Sequence, residues 1–356
     1  MHIPDGYLSP ATCAVLTAAM VPVWAVAARR TQRVVKSRYA PLMAVGAAYS
    51  FLVMMFNLPI PDGTTAHGVG AVLIAILLGR WAAVISVSVA LLIQAMFFGD
   101  GGVLAFGANA FNMAFVMPFV GYAVYRVLTS NTSLTSSRRA VSAGIASYVG
   151  LNVGALVAAV EFGLQPTLFH TADGTPLYAP FDLSQTIPAM AFAHLTVAGF
   201  VEFALTVGVI AYLQRANLPL MRLNHPDVPT TDAEITRRPV SWRWAFYGLG
   251  AMVLLSPLGL LAPGGAFGED APADLDLGKY GLGAVPQGLN DYSGWWSHTL
   301  LDGYGFSDGS NARLGYVVSA VIGAIAVGLA IALMILLIRL VSRSRGDDPN
   351  PAANPA

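Results

Sequence analysis

A histidine at position two has coordination chemistry that an internal histidine lacks. The α-amine of Met1, the backbone nitrogen of His2 and the His2 Nδ1 close a five-membered and a six-membered chelate ring together, nearly in one plane. One imidazole from elsewhere completes a square of nitrogens, a tetragonal set that suits Cu(II) or Ni(II) rather than Zn or Ca. Pro4 has no backbone N–H, so the chelate cannot run further down the chain. Five other histidines are available: His67, His170, His194, His225 and His298. Of these His67 stands out. It follows Ile60-Pro61-Asp62-Gly63, a repeat of the tetrapeptide Ile3-Pro4-Asp5-Gly6 that follows His2. Pro-Asp-Gly is a turn former, because Pro presets φ and Gly accepts positive φ. Two such turns can bring two histidines to one mouth of a bundle.

The elements that must position these residues lie in a bilayer. Of 356 residues 56% are apolar and 11% charged, against roughly 25% charged in a soluble domain. Soluble globular and disordered classes are excluded. Nineteen basic residues balance nineteen acidic ones, so no bulk charge points to nucleic acid. The single cysteine, Cys13, excludes a disulfide framework and a thiolate metal cluster within one chain. Nine apolar segments read as spans, near 11–28, 39–56, 64–79, 81–98, 103–125, 140–161, 186–213, 244–262 and 315–341. The third and fourth share the break Gly79-Arg80-Trp81 and read as a tight hairpin or re-entrant pair. Alternating sides through nine spans gathers 17 of the 19 basic residues on one face, leaving Lys279 and Arg313 opposite. The positive-inside rule then sets the N-terminus outside and the C-terminus in the cytoplasm. The start lacks a basic n-region, so no cleaved signal peptide is expected.

Two parts follow: residues 1–215 with seven spans and residues 244–345 with two. Residues 216–243, bearing Pro219, Pro226, Pro229 and Pro239, read as a cytoplasmic linker, and 346–356 as a flexible tail. The outer loop of the second part holds seven acidic residues between Glu269 and Asp308, with Trp295-Trp296. It reads as a solvated loop anchored at the interface. No HExxH, GxSxG or GxxxxGK[ST] occurs, so hydrolase and ATPase readings have no motif behind them. Polar residues within spans mark either function or interhelical hydrogen bonds. Asn109 and Asn112, three apart, read equally as supports for the histidines or as helix glue. For His194 and Glu202, structural hydrogen bonds are favoured over metal ligation. Ala14 and Ala18 on the first span read as close packing, or alternatively as a docking face.

Met-His-Ile-Pro-Asp-Gly-Tyr-Leu-Ser-Pro at 1–10 resembles the opening of the substrate-capture component of energy-coupling-factor nickel and cobalt transporters, the NikM/CbiM family. So do Pro61-Asp62-Gly63-Thr64-Thr65-Ala66-His67, the stretch 94–126 with Gly107-Ala108-Asn109-Ala110-Phe111-Asn112, and Ala193-His194-Leu195 with Glu202 beyond. This likeness covers about 1–215; the last two spans resemble the accessory N component in the fused NikMN form. The resemblance implies an all-α integral membrane protein: a seven-helix substrate-binding bundle followed by a two-helix accessory unit. It implies a metal held by the Met1 amine, His2 and His67, carried as substrate (Ni2+ favoured, Co2+ for corrinoid synthesis possible) with no cofactor. It also implies a transmembrane coupling subunit (NikQ/CbiQ type) and ATPase subunits (NikO/CbiO type) as partners, in the inner membrane of a prokaryote. Two rival readings stand beside it: an intramembrane metal-dependent hydrolase using His67, His194 and Glu202, and a gradient-driven metal permease.

Overall fold

A computed structural model of the chain describes residues 1–32, 34, 40–60, 65–226, 228, 243–262 and 265–344. The protein is an all-α membrane protein. In chain order the elements are α1 (Pro10–Arg30), α2 (Pro41–Met54), the two-residue strands β1 (Leu58–Pro59) and β2 (Thr65–Ala66), and α3 (Ala71–Leu78). Then come α4 (Arg80–Phe98), α5 (Phe106–Leu128), α6 (Ser137–Gly163), α7 (Leu183–Ala216), α8 (Leu218–Arg222), α9 (Arg243–Leu261), α10 (Gln287–Tyr292) and α11 (Ala312–Ser344). Among the described residues seven helices, α1, α4 to α7, α9 and α11, are long and apolar enough to cross a membrane.

The third expected span departs from the sequence reading. Only Ala71–Leu78 of 64–79 is helical, roughly 12 Å of helix at 1.5 Å per residue, far short of a bilayer core of about 30 Å. Residues 65–70 are not helical: Thr65 and Ala66 pair with Leu58–Pro59 as β2, and the amides next to α3 are claimed from α7. Val69 and Gly70 donate to the two carboxylate oxygens of Glu202 on α7, at 3.0 and 2.9 Å. Gly70 takes φ +72, a conformation open to glycine, and α3 starts there. A positive-φ glycine, Gly79, then reverses the chain directly into α4, the tight connection expected at that break.

The core lies around α3 and α4, with α5 and α6 packed across them. At the crossing of α5 and α6 a Cβ on Gly150 would meet the Met117 carbonyl at 2.8 Å, so these backbones approach closely. Helix α11 runs along α2, where a Cβ on Gly323 would enter the Phe51 ring. The Ala14 and Ala18 face of α1 is exposed rather than packed into the bundle.

The segment between α9 and α11 is largely exposed, as the composition suggested, but it is also fastened to the bundle. Trp296 Nε1 donates to the Met96 carbonyl at 2.8 Å, Leu300 and Leu301 donate to the Phe97 carbonyl, and Tyr304 stacks on Phe98 at 5.1 Å. Aromatic area and free backbone donors bind the segment to the C-terminal end of α4. On the other side of the bundle, Asn224 donates to the carbonyls of Ala75 and Ile76, and His225 stacks on Tyr122. His225 is half-buried there, whereas His170 and His298 are exposed. The basic residues Arg33, Lys36 and Arg38, the turn 61–64, residues 229–242 and the tail lie outside the described residues.

Candidate metal-binding site

The N-terminal nine residues precede α1 and turn into the bundle. Asn109 on α5 grips Ile3 from both sides: its Oδ1 accepts from the Ile3 amide at 2.8 Å and its Nδ2 donates to the Ile3 carbonyl at 3.0 Å. Gly102 also donates to that carbonyl, at 2.9 Å. Asp5 accepts from the amides of Val103 and Ala105, and a Cβ on Gly102 would strike its carboxylate. Ser9 caps α1 by accepting from the Thr12 amide. The segment is therefore tied at Ile3, Asp5 and Ser9, and its first two residues are buried, Met1 and His2 each 2% exposed.

His67 reaches the same point from the unwound segment after β2. Its Nδ1 donates to the Gly68 carbonyl at 2.9 Å, which leaves Nε2 as a lone pair, and Nε2 lies 3.1 Å from His2 Nδ1. The two rings are 4.7 Å apart. A ring nitrogen anchored on a backbone carbonyl with its other nitrogen free is how metal-bound histidines are oriented. The Met1 ammonium donates to Glu269 Oε1 at 3.1 Å. His2, His67 and Glu269 offer ligand atoms all within 4.8 Å of one another. His2 Nδ1 is also 3.1 Å from Asp100 Oδ1.

Burial, with the neighbouring ammonium, holds His2 down at about 4, the charges of Glu269 and the Gln94 contact opposing it. Burial, the ammonium and His2 hold His67 well below its usual range. Both rings are therefore neutral at pH 7 and carry lone pairs fit for a divalent cation. Burial lifts Asp100 to about 6, against the Tyr304 hydrogen bond and the ammonium. Opposed shifts of this kind gather at functional sites.

The residues singled out in the sequence thus separate. Met1, His2 and His67 come together. Asn109 supports them by holding the N-terminal backbone. Asn112 does not touch them and donates to Glu161 at 2.7 Å. Glu202 is occupied by two backbone amides and is not a free general base, while His194 donates from Nδ1 to the Met190 carbonyl. Glu269 and Asp100 were missed. Glu269 sits among seven loop acids with nothing local to distinguish it; Asp100, in the turn Gly99-Asp100-Gly101-Gly102, carried a signal that could have been followed.

Residues 2–220 match the family profile described as the cobalt uptake substrate-specific transmembrane region, CbiM. The chain belongs to the CbiM family. It does so in the fused NikMN form: it is 49% identical over 340 residues to the fused nickel transport protein NikMN of Rhodobacter capsulatus, covering 92% of this chain and 95% of that one. It is 45% identical to the probable fused nickel transport protein LarMN of Lactiplantibacillus plantarum, over 90% and 93% of the two chains. A crystal structure described as a transition metal transporter matches with a TM-score of 0.58 and 55% identity, over 64% of this chain and all of that one. The CbiM-type region therefore ends within α8, and the match to NikMN, covering 92% of this chain, extends beyond it.

Proposed function

We propose that this CbiM-family chain captures a divalent transition-metal ion at the outer face of a prokaryotic inner membrane and carries it inward as substrate. In this reading it is the substrate-binding part of an ATP-driven energy-coupling-factor importer. The observation that carries the reading is the convergence of the Met1 nitrogen, His2 Nδ1 and His67 Nε2 in one buried place, each from a different constraint. With the His2 backbone nitrogen these make four nitrogens, a set that favours Ni(II), with Co(II) the second candidate. The relatives named for nickel transport point the same way. Cu(II) binds such nitrogens more tightly still, so selection among metals rests on availability.

The N-terminus faces outward in this reading, since the basic residues gather on the opposite side. Energy comes from partners: a transmembrane coupling subunit and cytoplasmic ATPases, for which the exposed α1 face at Ala14 and Ala18 is a docking candidate. The chain catalyses no reaction of its own. The test is metal uptake by cells expressing the full set of subunits. Acetylation of the Met1 amine, or the substitution His67→Ala, should abolish uptake while the protein still inserts. Wild-type uptake by a chain shown to be fully acetylated would refute the terminal chelate.

A further inference from the structure

Helices α5 and α6 are joined by two buried polar side chains that take no part in the chelate. Asn112 is fully buried and Glu161 is 9% exposed. Asn112 Nδ2 donates to Glu161 Oε2 at 2.7 Å. The second oxygen of each group, Asn112 Oδ1 and Glu161 Oε1, is buried without a hydrogen-bond partner. Each is joined through one carbon to an atom of the 2.7 Å contact, so both belong to the same two planar groups. Among the described residues no basic side chain forms an ion pair with Glu161. Cys13 on α1 is near enough to sense its charge, and a thiol brings no positive charge.

An ionised Glu161 fails on two counts. A buried carboxylate needs a positive partner or several donors, and this one has a single neutral N–H. Carboxylate and amide oxygens are both acceptors, so neither unpartnered oxygen can satisfy the other. One proton changes both facts. On Oε1 it removes the charge and creates a donor next to an amide that has an unused acceptor. An acid and a primary amide are complementary in this way: the amide N–H donates to the acid carbonyl and the acid O–H to the amide carbonyl.

The pair also has a place in the architecture. Asn109, one turn before Asn112 on α5, grips Ile3. Gln165, one turn after Glu161, accepts from the Ser9 amide at 3.0 Å and donates to the Glu161 carbonyl at 3.0 Å. Residues Ala110–Val116 of α5 are wound as a π-helix, a form found mostly as short bulges at functional sites. A Cβ on Gly154 of α6 would meet the Asn112 carbonyl at 3.2 Å. The helices that hold the two ends of the N-terminal segment are thus clasped to each other between the two grips.

We propose that Asn112 and Glu161 form a proton-binding site, with Glu161 held as the neutral acid and its Oε1–H donating to Asn112 Oδ1. The doubly bonded pair fixes the spacing of α5 and α6 beneath the N-terminal segment. The ligand is a proton rather than a metal ion, since one carboxyl and one amide are too few donors for a divalent cation. Asn112 and Glu161 are positioning residues. The proton site stands apart from the importer reading, and only its effect on Ni(II) binding rests on that reading.

The test is infrared spectroscopy of the full chain in detergent at pH 7, reading the carbonyl stretch of protonated carboxylic acids. Glu161→Gln keeps the shape, and its amide can make both hydrogen bonds without an added proton. It should fold and should remove one acid from that band. Asn112→Leu removes both partners of the acid. The Glu161 band should then move to higher frequency, as an acid carbonyl does when it loses a donor. Ni(II) binding should weaken about 10-fold, the low end of the cost of losing a support behind a metal ligand, and it should weaken less in Glu161→Gln. An acid band unchanged by Glu161→Gln means an ionised Glu161 and overturns the proposal, as does a Glu161 band that sodium ions remove at constant pH. Should Asn112→Leu not fold, the wild type and Glu161→Gln decide the proton site by themselves. Wild-type Ni(II) affinity in Asn112→Leu overturns the positioning role. Failure of the wild type to bind Ni(II) refutes the capture reading and leaves the infrared result standing.

Discussion

At the scale of single residues the proposed chelate differs from a histidine cluster by the donors it would take from the backbone. His2 is held near 4 and His67 well below its usual range. Both folded-state values are depressed, so at pH 7 both imidazoles are neutral and can bind a cation with no net loss of a proton. The ammonium of Met1 and the backbone amide of His2 each have one to lose. Loading Ni(II) at pH 7 should therefore release about two protons per ion. Calorimetry in buffers of different ionisation enthalpy checks the number; zero released protons would mean that imidazoles and Glu269 alone hold the metal. Acidification toward pH 5 should weaken binding through the amine and amide, with the His2 ring adding its own competition only near pH 4. His67→Ala removes a ligand outright and should cost more than the roughly 10–100-fold typical of a supporting residue. Glu269→Gln, which removes only the counter-charge of the ammonium, should leave proton release unchanged.

At the scale of elements, α3 is the part that the site requires to be broken. A continuous helix through 64–79 would wind His67 onto a cylinder and satisfy the Val69 and Gly70 amides internally. Instead Glu202 takes both amides at the N-terminal end of α3, where the helix dipole also favours a carboxylate. Glu202→Gln places an NH2 against one of those donors. The expected loss is about 1–3 kcal/mol of stability, seen as a lowered melting temperature, together with weakened Ni(II) binding. Gly68→Ala should act alike, because its Cβ would meet Glu202 Oε2 at 2.6 Å and Val53 at 2.9 Å. Normal binding in both variants would mean that the break in α3 does not position His67.

At the scale of the whole molecule the accessory unit is joined to the bundle in two places. Helix α11 lies on α2, and the segment from Glu269 to Tyr304 covers the N-terminus and the end of α4. Tyr7 Oη donates to the Asp270 carbonyl at 2.8 Å, so the cover is fastened to the N-terminal segment itself. In the proposed reading, a metal reaching the site passes this cover. If the importer reading holds, the purified chain should bind Ni(II) yet hydrolyse no ATP, in keeping with a sequence in which GxxxxGK[ST] does not occur. ATP-dependent uptake should appear in vesicles only when coupling and ATPase subunits are co-reconstituted. Steady ATP hydrolysis by the chain alone would refute the division of labour.

The sequence by itself determined the membrane class and most of the helices, and it offered the terminal chelate. Each of these is local: hydropathy is summed over about twenty consecutive residues, and the amine, amide and imidazole of Met1-His2 are joined by covalent bonds. The order of Pro-Asp-Gly and His67 marked the second half of the site. Only the tertiary structure decided the rest. Hydropathy reads 64–79 as one apolar run because it cannot see Glu202, more than 130 residues later in the chain, capturing two of its amides. Nor does any neighbour of Glu269 or Tyr304 in the sequence set either apart from the other polar residues of a Gly-rich loop. Glu269 meets Met1 across 268 positions and Tyr304 meets Gln94 across 210, contacts that exist only because α11 packs along α2 and draws the loop over the bundle.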